Sequence, residues 1–416
     1  MSVMNHFKPV SISLSPNVQK DDVVLAQKLL FSPWTWKTGD GIKKLEDDFK
    51  KYLGVKYAIS FNSGRSALFA ILKSLGLQEG TDVLLQTFTC NAVANPILWV
   101  GFNPAYVDCA DDFNIDIGDL KKNISPKTKA LILQHTFGLP ANMDEIISIV
   151  RQNGLVLIED CAHALGAKYN QQKVGTFGDA AFFSFSRDKV ISSVYGGMAT
   201  TNNDQIGRKL QALQKEFGAP SLLWTKQQLL HPILLHYIIL PLYHFLDLGK
   251  IFLIISQWLC VLSKAVSWQE KRGQRPDYFP KAMPNALALL ACHQFAKLET
   301  FNAHRGKIAE FYYKELAGKA FGLPIKENNV FLRFPVTHSK AHEILYEAWH
   351  KENILLGDWY TSVIAPADTQ LDRMRYSAGT CRNAEHLSQK TLNLPTHINI
   401  SMDDAKRVVD FLKKYK

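Results

Sequence analysis

The chain has 416 residues, of which 47% are apolar and 21% are charged, and these values are close to those of soluble globular proteins. This composition excludes a disordered protein, a collagenous repeat and a polytopic membrane protein. The formal net charge of +10 is distributed over short basic groups mixed with acidic ones, so no nucleic-acid partner is expected.

Short apolar runs alternate with helical patterns between about residues 55 and 200. We predict buried strands in KYAISF, DVLLQTF, NPAYVDC, KALILQHTF, GLVLIED and DAAFFSF. Segments such as SALFAILKSLGL and MDEIISIVRQNG lie between them and are predicted to be amphipathic helices. This alternation predicts a mostly parallel sheet flanked by helices. Ligands bind at the carboxyl ends of such strands, so the residues directly after the runs are candidates for a site.

The segment 227–263 is unusually apolar for a protein of this composition. About its first 20 residues contain no charged side chain, which is long enough to cross a bilayer. Two prolines, Asp247 and Lys250 argue against one continuous span, and we predict two short helices within an apolar insert of about 222–270. Such helices could pack on the protein or on a dimer partner, dock on a membrane surface, or span the membrane.

The sequence pattern changes near residue 300. A long helical pattern extends from about Asn285 to Glu315, and the helical stretches KAHEILYEAWHKE and MDDAKRVVDFLKKY follow it. Short strands are predicted in NVFLRFPV and near NILLGDWY. We therefore predict a large domain over residues 1–300 and a smaller α+β domain over residues 301–416.

Cysteine spacing and the N-terminal residues bear on the cellular compartment. The six cysteines lie far apart without a Cys-x-x-Cys pair, which indicates neither a zinc site nor a disulfide framework. The N-terminal stretch MSVMNHFKPVSISLSP contains no continuous apolar run of the kind found in secretory signals. We therefore expect a cytoplasmic protein without a metal centre.

Two motifs place polar groups directly after predicted strands. In FNSGRSALFAIL, the residues Gly64, Arg65 and Ser66 occupy a strand-to-helix turn, where free backbone N–H groups can bind phosphate. An ordinary serine N-cap has the same pattern. In VLIEDCAHALGA, Asp160 closes a strand, where its carboxylate could hold a protonated ring nitrogen or simply cap a helix.

A third motif, DAAFFSFSRDKV, carries a candidate nucleophile. A buried strand ends near Ser184, and Lys189 follows five residues later. A partly desolvated lysine at this position has an amine that can attack carbonyl groups, whereas a solvated lysine would have no such role.

The order and spacing of these motifs resemble those of fold-type I pyridoxal-phosphate (PLP) enzymes. The closer similarity is to the DegT/DnrJ/EryC1/StrS aminotransferase family, because QTFTCNAVANPILWVGFNPAYVDC, QHTFGLPANMDEI and AEHLSQKTLNLPTHINIS also resemble its motifs. The resemblance covers most of the chain. It implies an α/β fold-type I PLP-transferase with a smaller C-terminal domain, PLP as cofactor, and a homodimer whose active sites use both subunits.

The resemblance also implies a role for each candidate residue. Lys189 would hold the cofactor covalently and move protons, and Asp160 would keep the pyridine nitrogen protonated. Phe88 would stack on the cofactor ring, and His163 occupies a position beside it where many members have glutamine. The phosphate cradle would consist of Gly64, Arg65, Ser66 and Ser184. Arg65 is a departure, because the family usually has threonine there.

The implied reaction is transfer of an amino group from glutamate or glutamine to a keto-sugar, nucleotide- or lipid-linked, in amino-sugar or polysaccharide biosynthesis. Family members that act as dehydratases have histidine in place of the lysine, so Lys189 favours transamination. A dehydratase-type enzyme and a non-catalytic membrane-associated scaffold are the alternatives.

The sugar contacts cannot be transferred from the family. The apolar insert replaces a family loop that reaches the neighbouring subunit's site, the usual arginine near Met283 is missing, and so is a histidine that often follows Tyr360. We hypothesise that segment 227–263 makes a peripheral contact with the inner face of the membrane.

Overall fold

The computed structural model describes residues 9–243 and 247–415. Its strands, in chain order, are β1 (Val10–Ser11), β2 (Tyr57–Phe61), β3 (Asp82–Gln86), β4 (Thr89–Cys90), β5 (Asn103–Val107), β6 (Thr128–Gln134), β7 (Val156–Asp160), β8 (Lys168–Tyr169), β9 (Gln172–Lys173), β10 (Ala180–Ser184), β11 (Gly197–Thr201), β12 (Phe334–Thr337), β13 (Ile354–Leu355), β14 (Ile364–Ala365) and β15 (Thr391–Leu394). Its α-helices are α1 (Lys20–Leu30), α2 (Asp40–Leu53), α3 (Gly64–Leu75), α4 (Asn91–Trp99), α5 (Ile117–Asn123), α6 (Met143–Gln152), α7 (Asp204–Phe217), α8 (Leu222–Leu234), α9 (Leu240–Leu242), α10 (Leu248–Trp258), α11 (Asn285–Phe295), α12 (Leu298–Leu316), α13 (Ala341–Glu352), α14 (Arg382–Lys390) and α15 (Met402–Leu412).

A seven-stranded sheet organises the larger part of the chain, in the order β2-β11-β10-β7-β6-β3-β5. Strands β10, β7, β6, β3 and β5 pair in parallel, and β11 is antiparallel to both of its neighbours. The predicted mostly parallel sheet with flanking helices is thus confirmed, and each of the six predicted runs contains one of its strands. Strand β11 was not predicted, because Met198 is the one large apolar residue of GMATT and no apolar run marks the strand.

Helix α3 is buried on almost every side, although its sequence was interpreted as amphipathic. It packs against β10 and β11 and is also covered by α4 and α7. Its apolar residues therefore face both the sheet and the outer helices, which explains why it has no solvent face. Helix α6 is amphipathic as predicted, with Met143, Ile146, Ile149 and Val150 buried.

The C-terminal part is built on the antiparallel pair β12–β15 with α12, α13 and α15 packed around it. The long helical pattern expected from Asn285 to Glu315 is interrupted after Phe295, which separates α11 from α12. Strand β1 pairs with β13, so the beginning of the described chain joins this part. The proposed boundary at residue 300 falls within α12 and stays a prediction.

The apolar insert contains short helices, as predicted. Helix α8 continues into a π-helical turn, Leu235–Ile239, and then into α9, while α10 follows residues 244–246, which lie outside the described chain. No helix in the described ranges is long and apolar enough to cross a membrane.

Candidate active site

A cavity of about 120 Å³ lies where the carboxyl ends of β2, β7 and β10 meet. Most of the sequence-predicted site residues line it, namely Gly64, Arg65, Asp160, His163, Ser184 and Lys189. Two do not: Ser66 lies buried behind the turn that begins α3, and Phe88 lies within an aromatic cluster. The cavity therefore brings together Gly64 and Lys189, which are 125 positions apart in the sequence.

The turn from β2 to α3 is held by side-chain hydrogen bonds. Ser63 is the N-cap, and its Oγ accepts a hydrogen bond of 3.0 Å from the Ser66 backbone N–H. The Ser66 hydroxyl donates to Asn62 Oδ1 at 2.7 Å. The N–H groups of Gly64 and Arg65 belong to the first helical turn, where no intrahelical acceptor exists, and both residues line the cavity. This end of the cavity can therefore bind an anion.

Glycine at position 197 lets β11 approach this turn closely. A Cβ atom on Gly197 would lie 2.5 Å from the backbone N of Gly64, which no real side chain tolerates. Gly64 in turn faces Ser184, because a Cβ on Gly64 would lie 3.0 Å from the Cβ of Ser184. The anion-binding turn is thus packed against two neighbouring strands with no room for side chains.

The guanidinium group of Arg65 is engaged by another part of the chain. It forms a buried ion pair with Glu270, donates to the carbonyl of Ala265 at 2.8 Å, and lies 4.9 Å from the centre of the Phe279 ring. The side chain that departs from the family pattern therefore has its own carboxylate partner. Its expected role in binding phosphate stays a prediction.

Residues 263–270, here called the exit segment, connect the apolar insert to the cavity wall. The Arg187 guanidinium donates to both the carbonyl and the hydroxyl of Ser263 at 2.7 Å. The Tyr195 hydroxyl donates to two carbonyls of the segment, at 2.5 Å and 3.2 Å. As a result Ala265 lines the cavity. These contacts have no local sequence signal, because the partners are distant along the chain.

Asp160 presents a buried carboxylate at the end of β7. Its Oδ1 accepts a hydrogen bond of 2.9 Å from the Ala162 N–H. Burial raises the pKa of Asp160 to about 6, against the opposing influence of Lys189. The adjacent Glu159 differs, because its carboxylate accepts three backbone N–H groups of the segment 175–178 and holds that loop on the strand. Of the two acids, Asp160 is the one suited to a cationic ligand.

Lys189 brings an amine to the same cavity. Burial lowers the pKa of Lys189 to about 8, while Asp160 and Cys90 act in the opposite direction. A larger neutral fraction near physiological pH makes the amine a better nucleophile and proton carrier. Its Nζ lies 4.5 Å from the centre of the Trp359 ring.

Asn17 and Arg305 hold the backbone at Lys189 and were missed in the sequence. Asn17 Nδ2 donates to the carbonyl of Lys189 at 2.5 Å and to that of Val190 at 3.2 Å. The fully buried Arg305 donates to Asn17 Oδ1 at 2.9 Å and to the Val190 carbonyl at 2.8 Å. Burial lowers the pKa of Arg305 to about 9, and no carboxylate pairs with it within the described ranges. The helical pattern around Arg305 gave no signal of this burial.

His163 lies in a stack of parallel rings beside the cavity. Its ring centre is 5.3 Å from that of Trp359 and 6.0 Å from that of Phe137. Nδ1 accepts a hydrogen bond of 3.3 Å from the Phe137 N–H, and burial holds the pKa of His163 well below its ordinary value. His163 is therefore a neutral ring next to the amine and the carboxylate.

Phe88, expected to stack on the cofactor, lies outside the cavity lining. Its ring stacks on Phe113 at 5.4 Å and packs edge-on against Tyr360, also at 5.4 Å. The ring that lines the cavity on this side is that of Tyr360. The stacking role of Phe88 stays a prediction.

The chemical groups around the cavity fit PLP. Asp160 can accept a hydrogen bond from the protonated ring nitrogen, and Lys189 can bond to the aldehyde carbon. The start of α3 together with Ser184 can hold the phosphate. The ring of Trp359 lies beside the Lys189 amine, and the Tyr360 side chain also lines the cavity.

A sequence profile of the DegT/DnrJ/EryC1/StrS aminotransferase family matches residues 16–230 and 265–413. The match includes every candidate site residue and leaves out residues 231–264, the centre of the apolar insert. The resemblance inferred from the motifs is confirmed by this match.

Individual proteins agree with the profile. The spore coat polysaccharide biosynthesis protein SpsC of Bacillus subtilis is 33% identical over 53% of this chain, an alignment that spans 56% of that protein. The UDP-N-acetyl-3-dehydro-alpha-D-glucosamine 3-aminotransferase of Acidithiobacillus ferrooxidans is 26% identical over 98% of this chain and 95% of its own length. The structure of NtdA from Bacillus subtilis with the bound cofactor PMP has a TM-score of 0.75 at 20% identity, and covers 98% of this chain and 85% of that chain. This structural similarity confirms the predicted fold.

Proposed function

Because this chain belongs to the DegT/DnrJ/EryC1/StrS aminotransferase family, whose enzymes use PLP, we propose that it transfers an amino group from glutamate or glutamine to a keto-sugar. The observation that carries the proposal is the presence of Lys189, Asp160 and the start of α3 around one cavity. The cofactor, when bound, supplies an electron sink for the carbon that gains or loses the amine.

Each of these groups has a defined task in the proposal. The Lys189 amine moves a proton to and from the reacting carbon, and its lowered pKa suits this exchange near neutral pH. Asp160 holds a positive charge at the ring nitrogen, where its buried carboxylate gains a partner. The first turn of α3 and Ser184 anchor the phosphate and so fix the distance to Lys189.

The acceptor class follows from the relatives. The Acidithiobacillus relative, aligned over almost the full length, acts by its name on a UDP-linked 3-dehydro sugar. We therefore take a keto-sugar on a nucleotide as the first acceptor to test and a keto-sugar on a lipid carrier as the second. A role in amino-sugar or polysaccharide biosynthesis and a homodimer are part of the same proposal.

The test is a product assay with the PLP-loaded enzyme. Nucleotide-linked keto-sugars are incubated with glutamate or glutamine, and the products are identified by mass spectrometry. We expect an amino-sugar, and we expect Lys189→Ala to lower its rate of formation by at least about 100-fold. A product that has lost oxygen without gaining nitrogen would indicate a dehydratase-type enzyme instead. No product with any acceptor would contradict the proposal.

A further inference from the structure

Helix α10 turns its large apolar side chains to solvent. The exposed residues have the spacing i, i+3, i+4, i+7 and i+8, and they are Ile251, Ile254, Ile255, Trp258 and Leu259. A surface helix of a globular protein normally turns such a stripe toward the core. Trp258 is 80% exposed. The apolar face of α10 is therefore available to a partner.

The opposite face of α10 is small and buried. Gly249 and Ser256, seven residues apart, are the buried residues of the helix. A Cβ atom on Gly249 would lie 2.6 Å from the backbone N of Tyr243, so the two backbones are in direct contact. Turning the apolar stripe inward would push the helix away from this contact. The close backbone contact at Gly249 therefore fixes the outward orientation of the apolar stripe.

The surroundings of this face are basic. Lys250, Lys264 and Arg272 are exposed near it along the chain. Asp247, the N-cap of α10, is an exposed acid, and the one acid between residues 248 and 275, Glu270, is buried in an ion pair. An apolar stripe flanked by lysine and arginine, with an exposed tryptophan, is typical of a helix that lies in the plane of a membrane interface.

We propose that α10 docks on the surface of an anionic bilayer. The apolar stripe would enter the headgroup region, and the lysines would contact acidic lipid headgroups. A second copy of the chain fits less well, because two identical faces would bring their basic residues together. Residues 231–264 are also absent from the family match, so this face does not belong to the architecture that the family shares.

Docking would bring the cavity close to the bilayer. Trp258 and Ala265, which lines the cavity, are seven positions apart in the chain, and this length spans at most about 25 Å. A keto-sugar on a lipid carrier could then reach the site. This consequence for the substrate rests on the proposed function, whereas the docking itself does not.

The test is co-sedimentation of the full PLP-loaded chain with vesicles. We expect binding to phosphatidylcholine vesicles that contain phosphatidylglycerol, and little binding to phosphatidylcholine alone. About 0.5 M salt should weaken the binding, because it screens the lysines. Trp258→Ser should lower the partition coefficient about tenfold, and Lys250→Glu about fivefold or more.

Matched control variants distinguish binding through α10 from non-specific binding to vesicles. Trp34 is 77% exposed on a 3₁₀ turn outside the insert, and Lys319 is exposed beyond the end of α12. Trp34→Ser and Lys319→Glu should bind vesicles as the unaltered chain does. The proposal would be overturned if test and control variants lost vesicle binding equally, or if the unaltered chain did not bind anionic vesicles. If vesicles do not bind and Trp258→Ser alone lowers the mass in ultracentrifugation, the occupant is a second copy. Binding is measured without turnover, so an inactive enzyme leaves the result valid.

Discussion

The active-site cavity and the apolar insert leave opposite kinds of groups without their preferred surroundings. In the cavity, burial raises the pKa of Asp160 and lowers that of Lys189, so both charged forms are disfavoured. On α10, Ile254 and Trp258 are exposed to water. A cofactor with complementary charges would offset the cost of burying Asp160 and Lys189. An apolar surface would remove the side chains of α10 from water. Buried charge therefore marks the cavity as a place for a polar ligand, and exposed apolar side chains mark α10 as a candidate docking surface.

The largest effect is expected where the two regions are joined, at Arg65 and Glu270. Arg65→Ala leaves the Glu270 carboxylate buried without its partner, which should lower the free energy of unfolding by about 3–5 kcal/mol. Denaturant unfolding measures this loss.

The double variant Arg65→Ala, Glu270→Gln removes the charge as well and should recover part of the stability. Lys44→Ala, which breaks an exposed pair with Asp48, is the control and should have little effect. If Arg65→Ala behaves like this control, the exit segment is not held to the cavity by that ion pair.

Gly197→Ala should disturb the anion-binding turn. The added methyl group meets the backbone at Gly64, so the strand or the turn must shift, at a cost of about 1–3 kcal/mol and with weaker PLP binding. Gly306→Ala is the control, because that glycine lies in α12 with open space around its Cβ position. Spectroscopic titration with PLP compares the two variants. Unchanged affinity in Gly197→Ala would show that the turn does not bind the phosphate.

Asp160→Asn should stabilise the cofactor-free protein. It should also lower the activity with PLP, because the ring nitrogen loses its charged partner. The pKa of Asp160 is about 6 in the folded chain and 3.8 ordinarily, so the folded state binds the proton more tightly between these values. Stability therefore falls as the pH rises from about 4 to 6, and above that range the carboxylate costs up to about 3 kcal/mol.

Asparagine cannot ionise, so the variant should gain about 1–2 kcal/mol at pH 7 and lose this part of the pH dependence. Thermal unfolding at pH 4 and pH 7 measures both. Lower stability of Asp160→Asn at pH 7 would mean that groups within the chain already stabilise the ionised Asp160 carboxylate.

Sequence patterns were sufficient for six of the seven strands of the sheet and for six residues of the cavity lining, because these depend on local features. Buried runs mark the parallel strands, and the residues after them lie at one edge by topology. Contacts across the chain have no such local signal. Arg305 lies in a helix of mixed composition, and nothing near it indicates a buried bond to Asn17. The orientation of α10 stayed open in the sequence, since the same apolar stripe fits a face packed on the protein and a face turned outward.

The smallest effect on stability is expected in the insert. Trp258 contributes little burial to the folded chain, so Trp258→Ser should change the free energy of unfolding by less than about 0.5 kcal/mol. Denaturant unfolding of this variant next to Trp34→Ser, which is equally exposed, measures the difference. A loss above about 2 kcal/mol would show that Trp258 is covered in the folded protein, in contrast to the proposed surface role.

The central claim about the cavity is that Lys189 holds PLP. The measurement is borohydride reduction of the PLP-loaded protein, followed by peptide mass spectrometry. We expect the reduced cofactor on the peptide that contains Lys189, and no labelled peptide from Lys189→Ala. A label on another lysine, or an unlabelled peptide from the fully loaded unaltered chain, would contradict it.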